Sequence, residues 1–518
     1  MSARSTRSRS MLSRREILSA GGIAAAGLAA EDPVHAATAG PGPEVYTRIG
    51  VQPFINCTAT YTVNGGSATL PEVIATIEQA SHYHVNLDEL MEKVGDRLAQ
   101  LLHVEWAFVT AGTASGLTHA TAACIAGADP EKIQRLPNLE GLRNEVIIPR
   151  ESRNAYDHAV RAVGAKVIEV DSAAEVEAAI GPRTAMIELL GNHFGSARLD
   201  LKDVAPIARK AHVPILVDAA ADYLIVPNPY LALGADLVAY SGGKIIRGPQ
   251  TAGLLVGRRD LVRAAWTNSA PHHGFGRGMK VSKEEIVGML RAVEVWRTER
   301  DLQADFREWN SWYQRITQQI TRVPGVTAEV RPPIRGGPFP TLNISWDPGK
   351  IGLTAGEVGQ QLLDGKPRIM SHAEGDGHSF LIRPVAMKPG EHEVVAQRLY
   401  EIFRSAPKSR APKPLSLPVA DLSGSWAVEV EYEAGSAQHT LVIAADRNEL
   451  TGSHQGWAYK GDLRGIVDGS RVEFRSALPA EGNRLSYTFR GEVGDGMMSG
   501  TLDLGDYGKG RWRARKHA

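Results

Sequence analysis

Two cysteines in 518 residues, Cys57 and Cys124, leave no material for a disulfide framework. Each is expected as a small buried hydrophobe. Charge of one sign is missing too. The 58 Lys and Arg balance 58 Asp and Glu, so no net field favours nucleic acid or an anionic membrane. The apolar run 17–30 is too short and too glycine-rich for a stable membrane span. No metal site is expected. What remains is ordinary globular material, 43% hydrophobic and 22% charged. Its length exceeds one average domain, so two or three are expected.

The first residues read as an address rather than as fold. Arg4, Arg7 and Arg9 precede Ser13-Arg14-Arg15-Glu16-Ile17-Leu18, a twin-arginine pattern. A Gly/Ala-rich apolar run follows, and Val34-His35-Ala36 offers a small-residue cleavage site. Residues 1–36 are therefore predicted to be a signal handled by the twin-arginine export machinery, which would carry a folded protein to the periplasm or outside. Cleavage after Ala36 removes five arginines and three acids, leaving 53 basic against 55 acidic residues.

From about residue 51 to 256, short apolar runs alternate with helical stretches. Strands are predicted at 107–110, 145–148, 166–170, 184–190, 215–217, 237–240 and 252–257. Helices are predicted at 115–126, 155–164, 173–180 and 201–211. Nearly all-apolar strands in repeated strand-helix units argue a mostly parallel seven-stranded sheet covered on both faces. The link from Lys244 to Ala252 is too short for a helical crossover, so the last strand should run antiparallel. Helices at 284–304 and 309–321, with strands at 341–345 and 379–383, read as a smaller α+β domain. The proline-rich segment 406–420 reads as a linker. Beyond it the period becomes two, as in Trp426, Val428, Val430 and Tyr432. Glycines recur two positions after an apolar residue, at Gly424, Gly452, Gly465, Gly491 and Gly500, and are expected at strand ends or bulges. Residues 421–518 are predicted to be an all-β meander, a small barrel or sandwich, with Trp426 and Trp512 in its core. The domains are then 45–275 (large), 276–405 (small) and 421–518.

In such a sheet, ligands bind beyond the carboxyl ends of the strands, and three features converge there. Asp218 ends the run Val213-Pro-Ile-Leu-Val-Asp218, and Lys244 follows 26 residues later in Tyr240-Ser241-Gly242-Gly243-Lys244. Singly, the acid could cap a helix and the lysine sit on a surface loop. Together they are the layout of a pyridoxal-phosphate (PLP) enzyme. The lysine holds the cofactor aldehyde as an imine, and the carboxylate keeps the pyridine nitrogen protonated. Burial would lower the lysine's pKa, as imine exchange requires. The loop Gly112, Thr113, Ala114, Ser115 joins a strand to a helix. Small residues and a helix N-terminus there suit a phosphate, to which Ser241 could add a hydroxyl.

The runs Asp218-Ala-Ala-Ala-Asp222, Ser241-Gly-Gly-Lys244 and Arg247-Gly-Pro-Gln-Thr-Ala-Gly253 resemble the selenocysteine synthase (L-seryl-tRNA selenium transferase) superfamily of fold-type I, aminotransferase-like PLP enzymes. The similarity is greatest to its tRNA-independent branch of ammonia-lyases. Supporting pieces are Ile55-Asn56, Gly65-Gly66, Arg153-Asn154-Ala-Tyr156-Asp157-His158 and Lys280-Val-Ser-Lys283. The resemblance implies PLP as cofactor, a homodimer or larger homo-oligomer, and a small-molecule amino acid or amino sugar acid as substrate. It also implies a stacking side chain before Arg153, where this chain has Glu151-Ser152. Ser152, His158 and His193 are the candidates left near the cofactor. For the substrate carboxylate the resemblance points to an arginine of the smaller domain, Arg368 or Arg383. Arg247, Arg277 and Lys280 form a basic set for a cofactor or substrate phosphate. With no tRNA-binding domain between the export signal and the catalytic region, and no net basic charge, transfer of selenium to tRNA is not expected. The expected reaction is an α,β-elimination by a PLP lyase. Transamination, racemisation and aldol cleavage use the same residues, and a secreted binding or scaffold protein is the alternative of another class.

Overall fold

The computed structural model describes residues 43–191, 197–334, 338–408 and 414–517. Residues 43–53 belong to a unit of their own, which contains the short helix Glu44–Thr47. A second unit begins at Phe54. Its first strand, β1 (Phe54–Asn56), precedes the strands of the main sheet: β2 (Trp106–Thr110), β3 (Glu145–Pro149), β4 (Lys166–Val170), β5 (Thr184–Leu190), β6 (Ile215–Asp218), β7 (Leu237–Ser241) and β8 (Gly253–Gly257). Their order is β2-β8-β7-β6-β5-β3-β4. All neighbours are parallel except β8, which is antiparallel to both β2 and β7. This is the mostly parallel seven-stranded sheet of the fold-type I architecture, with its one reversed strand where the short link after Lys244 demands it. Every residue of β2, β3 and β8 is buried, as strands covered on both faces require.

Some boundaries differ from the sequence expectation. The helix after β2 runs Gly112–Ala126, three residues earlier than predicted, because Gly112 and Thr113 already form its first turn. The two helices expected over 284–304 and 309–321 are Lys283–Thr298 and Leu302–Ile320, with the break between them falling earlier than expected. The first ends at its C-cap Glu299, and Asp301 caps the start of the second, its side chain accepting from the Gln303 N–H at 2.8 Å. The smaller domain adds β9 (Val326–Arg331), β10 (Thr341–Trp346), β11 (Arg368–Met370) and β12 (Ser379–Ile382). β9, β10 and β12 form an antiparallel sheet, while β11 pairs in parallel with β1, Phe54 opposite Arg368.

The C-terminal part is a closed antiparallel barrel of eight strands. They are β13 (Gly424–Glu431), β14 (Ser436–Asp446), β15 (Glu449–Gln455), β16 (Lys460–Asp468), β17 (Arg471–Ala480), β18 (Asn483–Gly494), β19 (Met497–Asp503) and β20 (Lys509–Lys516). Closure follows from pairing of β13 with β20 and leaves no free edge. Trp426 and Trp512 lie in its core with Phe474 and Phe489, apart from the core shared by the two sheets upstream. Of the recurring glycines, Gly424 starts β13 as expected, but Gly452, Gly465, Gly491 and Gly500 sit inside strands, the last two directly opposite each other. A Cβ on Gly500 would come within 2.0 Å of the Arg490 carbonyl oxygen, and one on Gly491 within 2.2 Å of that of Ser499. The strands approach there too closely for any side chain, which permits the curvature a small barrel needs.

Candidate active site

β6 ends on Asp218, whose side chain is 4% exposed. Oδ1 accepts from the Ala220 N–H at 3.0 Å. Burial is the largest influence on this carboxyl and raises its pKa. Ala220 N–H and the nearby Lys244 pull the other way, and Asp222 and Asp157 add to the rise. Glu188, buried in the neighbouring β5, has its pKa raised further by burial and by the charges of Asp218 and Asp157. A buried acid whose strongest influence favours the neutral form has room for a cationic N–H partner, which is what a protonated pyridine nitrogen supplies.

Lys244 is half-buried in the loop after β7. The loop is built from backbone: Gly242 N–H donates to Ala252 O at 2.9 Å, Gly248 N–H to Gly242 O at 2.8 Å, and Arg247 N–H to Lys244 O at 3.0 Å. Burial lowers the lysine's pKa, with Asp218 and Asp222 opposing. The amine is thus biased towards its neutral, nucleophilic form.

At the end of β2, Gly112 has φ +81°, which only glycine adopts without strain, and it opens the helix Gly112–Ala126. No side chain caps that helix. Thr113 Oγ1 is buried with no hydrogen-bond partner among the described residues, while Ser115 Oγ donates to Ala111 O at 2.7 Å. Uncapped N–H groups beside an orphaned hydroxyl fit a phosphate. The residues present therefore fit PLP at all three of its contact points: Thr113 and the helix N-terminus for phosphate, Lys244 for the aldehyde carbon, Asp218 for the ring nitrogen.

A cavity of about 490 Å³ opens over Lys244. Its walls include Tyr61, Tyr156, Arg331, Phe339 and Arg383. Of the two arginines considered for a substrate carboxylate, Arg383 lies in this cavity. Its backbone N–H donates to Cys57 O at 3.0 Å and its Nη1 to Thr58 O at 3.5 Å. Arg368 is not among the lining residues; it sits in β11, with Nε donating to Leu363 O at 3.1 Å. His158 is exposed, with Arg161 Nη2 3.5 Å from its Nδ1, and does not line the cavity. Ser152 is buried, and its Oγ accepts from Leu190 N–H at 3.2 Å. Arg247, at φ +59°, donates from Nε to Ala68 O at 3.0 Å; Arg277 and Lys280 are exposed, and none of the three lines the cavity. His193 lies outside the described residues. Tyr61 and Arg331 carry no sequence signal that singles them out. Tyr156 belongs to a motif of the resemblance, yet only the folded chain shows it facing the lysine's cavity. His372 stands edge-on to Tyr61 at 4.9 Å, its pKa lowered by burial and by Arg383.

The model of the aminotransferase class-V family matches residues 73–286. The D-glucosaminate-6-phosphate ammonia lyase of Salmonella typhimurium is 28% identical over 376 residues, 70% of this chain and 99% of that protein. The 5'-C-glycyluridine monooxygenase-decarboxylase of a Streptomyces species is 29% identical over 372 residues, 69% of this chain and 92% of its own. The solved structure of a D-glucosaminate-6-phosphate ammonia-lyase superposes with a TM-score of 0.62 at 28% identity, covering 70% of this chain and 99% of that one.

Proposed function

We propose that this chain, a member of the selenocysteine synthase-like superfamily of fold-type I PLP enzymes, is a lyase that releases ammonia from an amino acid or amino sugar acid. The observation that carries the reading is that Lys244 and Arg383 open into one cavity. Arg383 would hold the substrate carboxylate through paired N–H donors, which places the α-carbon over Lys244. PLP, which Thr113, Asp218 and Lys244 would hold, would supply a sink for the electron pair of the α-C–H bond. The Lys244 amine, whose pKa burial lowers against the opposing charges of Asp218 and Asp222, takes the α-proton. It can then return the proton to the leaving β-hydroxyl as general acid. Water leaves across the Cα–Cβ bond, and hydrolysis of the resulting enamine gives a 2-keto acid and ammonia. Arg331, on the same cavity wall, supports a substrate with a second anionic end, such as a sugar acid phosphate.

Incubating purified holoenzyme with D-glucosaminate 6-phosphate and a panel of amino acids tests this. Equal release of ammonia and 2-keto acid without oxygen uptake is expected. Oxygen uptake with loss of carbon dioxide would replace the lyase by a decarboxylating oxygenase, the chemistry named for the Streptomyces relative. For the preferred substrate, Arg383→Met should raise KM by roughly 10- to 100-fold, the worth of a lost charged hydrogen-bonding pair of ~1.5–3 kcal/mol. Arg368→Met should change it little. A reversed ranking would move the carboxylate site to Arg368.

The reading extends to the whole chain. Residues 1–36 serve as a twin-arginine signal, 45–275 and 276–405 as the large and small domains, and 421–518 as an appended barrel, with the working assembly a homo-oligomer. Among the described residues no helix is long and apolar enough to cross a membrane. Replacing Arg14 and Arg15 by lysine should leave the full-length precursor in the cytoplasm. Processed protein still reaching the periplasm would show that the Arg14-Arg15 pair is incidental to export.

A further inference from the structure

We propose that the barrel is a positioning part of the active site: its Glu481-Gly482 turn docks on residues 153–157 and holds Tyr156 at the Lys244 cavity. β17 and β18 are joined by a two-residue turn, Ala480 pairing with Asn483. Both turn residues have positive φ, +47° at Glu481 and +78° at Gly482, the type I′ geometry of tight hairpins. At the first position that geometry favours Asn, Asp or Gly, since a longer side chain is strained there. The β18–β19 hairpin has the favoured pair, Asp495-Gly496, at φ +51° and +74°. A Cβ on Gly496 would meet nothing within 4 Å.

The two turns thus share a shape and differ in surroundings. A Cβ on Gly482 would lie 2.5 Å from Asp157 Oδ2, 2.7 Å from Asn154 O and 2.9 Å from Asn154 N. Glu481 Oε2 is 3.3 Å from Arg153 Nη2 and 3.9 Å from Arg161 Nε. The Arg153 side chain is only 6% exposed and also pairs with Asp157 and Glu169. The glutamate at this left-handed position thus faces the guanidinium groups of Arg153 and Arg161. Between these contacts runs the loop that carries Tyr156. Asn154 Oδ1 accepts from the Tyr156 N–H at 2.7 Å, and Asn154 O from the Asp157 N–H at 3.2 Å. Tyr156, 56% exposed, lines the cavity over Lys244. Glu481 and Gly482 touch no reacting atom; they act through Arg153, Asn154 and Asp157.

The functional half of this proposal rests on the reading of the Lys244 cavity as a substrate site, so its test has two arms on the full-length holoenzyme. The first compares Gly482→Val with Gly496→Val, which imposes the same turn strain where a Cβ would meet nothing within 4 Å. Hydrogen exchange at the amides of Tyr156 and Asp157 should be at least about tenfold faster in G482V than in G496V. Glu481→Ala should raise it in the same direction, and serves if G482V fails to fold. Equal exchange in E481A, G496V and the parent chain overturns the docking. The second arm titrates each variant with glycine and follows cofactor absorbance. The half-saturating concentration should rise roughly tenfold in G482V, while the plateau spectrum and cofactor retention stay as in the parent. Altered exchange with an unchanged titration means that the contact is merely structural and overturns the positioning role. If glycine perturbs no variant but exchange responds, the docking stands and the substrate-site reading is what fails.

Discussion

Lys244→Ala is expected to leave a folded protein without turnover. Among the described residues the lysine's amine makes no hydrogen bond to the surrounding loop, which is closed by the backbone of Gly242, Arg247 and Gly248. Removing a half-buried cation also relieves a desolvation cost, the same one that lowers its pKa. The denaturation midpoint should thus stay at or above that of the parent. The reaction, in contrast, loses both the covalent hold on the cofactor and the base that moves the α-proton. A positioned base alone contributes about 10²–10⁴-fold, so activity should fall by at least three orders of magnitude, roughly. Borohydride, which fixes the cofactor on the parent chain, should fix none on the variant. Retention of a tenth of the activity, or about that, would end the assignment of Lys244 as the attachment and proton-transfer group.

The second large effect is expected from Asp218→Asn. The amide can still accept from Ala220 N–H, so the strand end keeps its shape and cofactor should remain bound. What is lost is negative charge in a buried place. A neutral amide does not hold a pyridine nitrogen protonated, and the ring then takes up an electron pair poorly. Removing one preorganised electrostatic contact at a reacting centre typically costs 10²–10³-fold in rate, and about that is expected in kcat with little change in KM. The two variants separate cleanly: D218N should still be fixed by borohydride while turning over slowly. A kcat within about twofold of the parent would mean that some other group controls the ring nitrogen.

Asp218, Lys244 and the 112–115 loop are legible in the sequence because each is set by a short run: an apolar strand ending on an acid, a strand followed by Gly-Gly-Lys, a small-residue turn before a helix. The reversed strand is legible because chain length forbids a crossover. What is not legible depends on which distant segments meet. Arg368 and Arg383 are equivalent in a linear reading, and pairing of β11 with β1 and of β12 with β10 separates them. Tyr61 and Arg331 reach the cavity from segments far apart in the chain, and nothing periodic marks either. Period-two patterning announces an all-β region, but not that β13 closes onto β20. Nor does it show that Gly491 and Gly500 face each other within strands, since interstrand distance leaves no trace in composition.

The reversed strand β8 brings no side chain to the chemistry, yet it acts as a spacer. Strands in a sheet lie about 4.8 Å apart. Asp218 leaves β6, Lys244 follows β7, and the phosphate loop follows β2, which β8 separates from β7 by one strand width. Gly253 makes that insertion tight: a Cβ there would come within 2.5 Å of Gly112 C and 2.6 Å of Thr110 Oγ1. The three proposed contact points for a flat, rigid cofactor are thereby measured out in units of hydrogen-bonded backbone, a gauge that side-chain motion cannot stretch. An enzyme built this way can exchange the residues that choose its substrate while the length of the cofactor's berth stays constant.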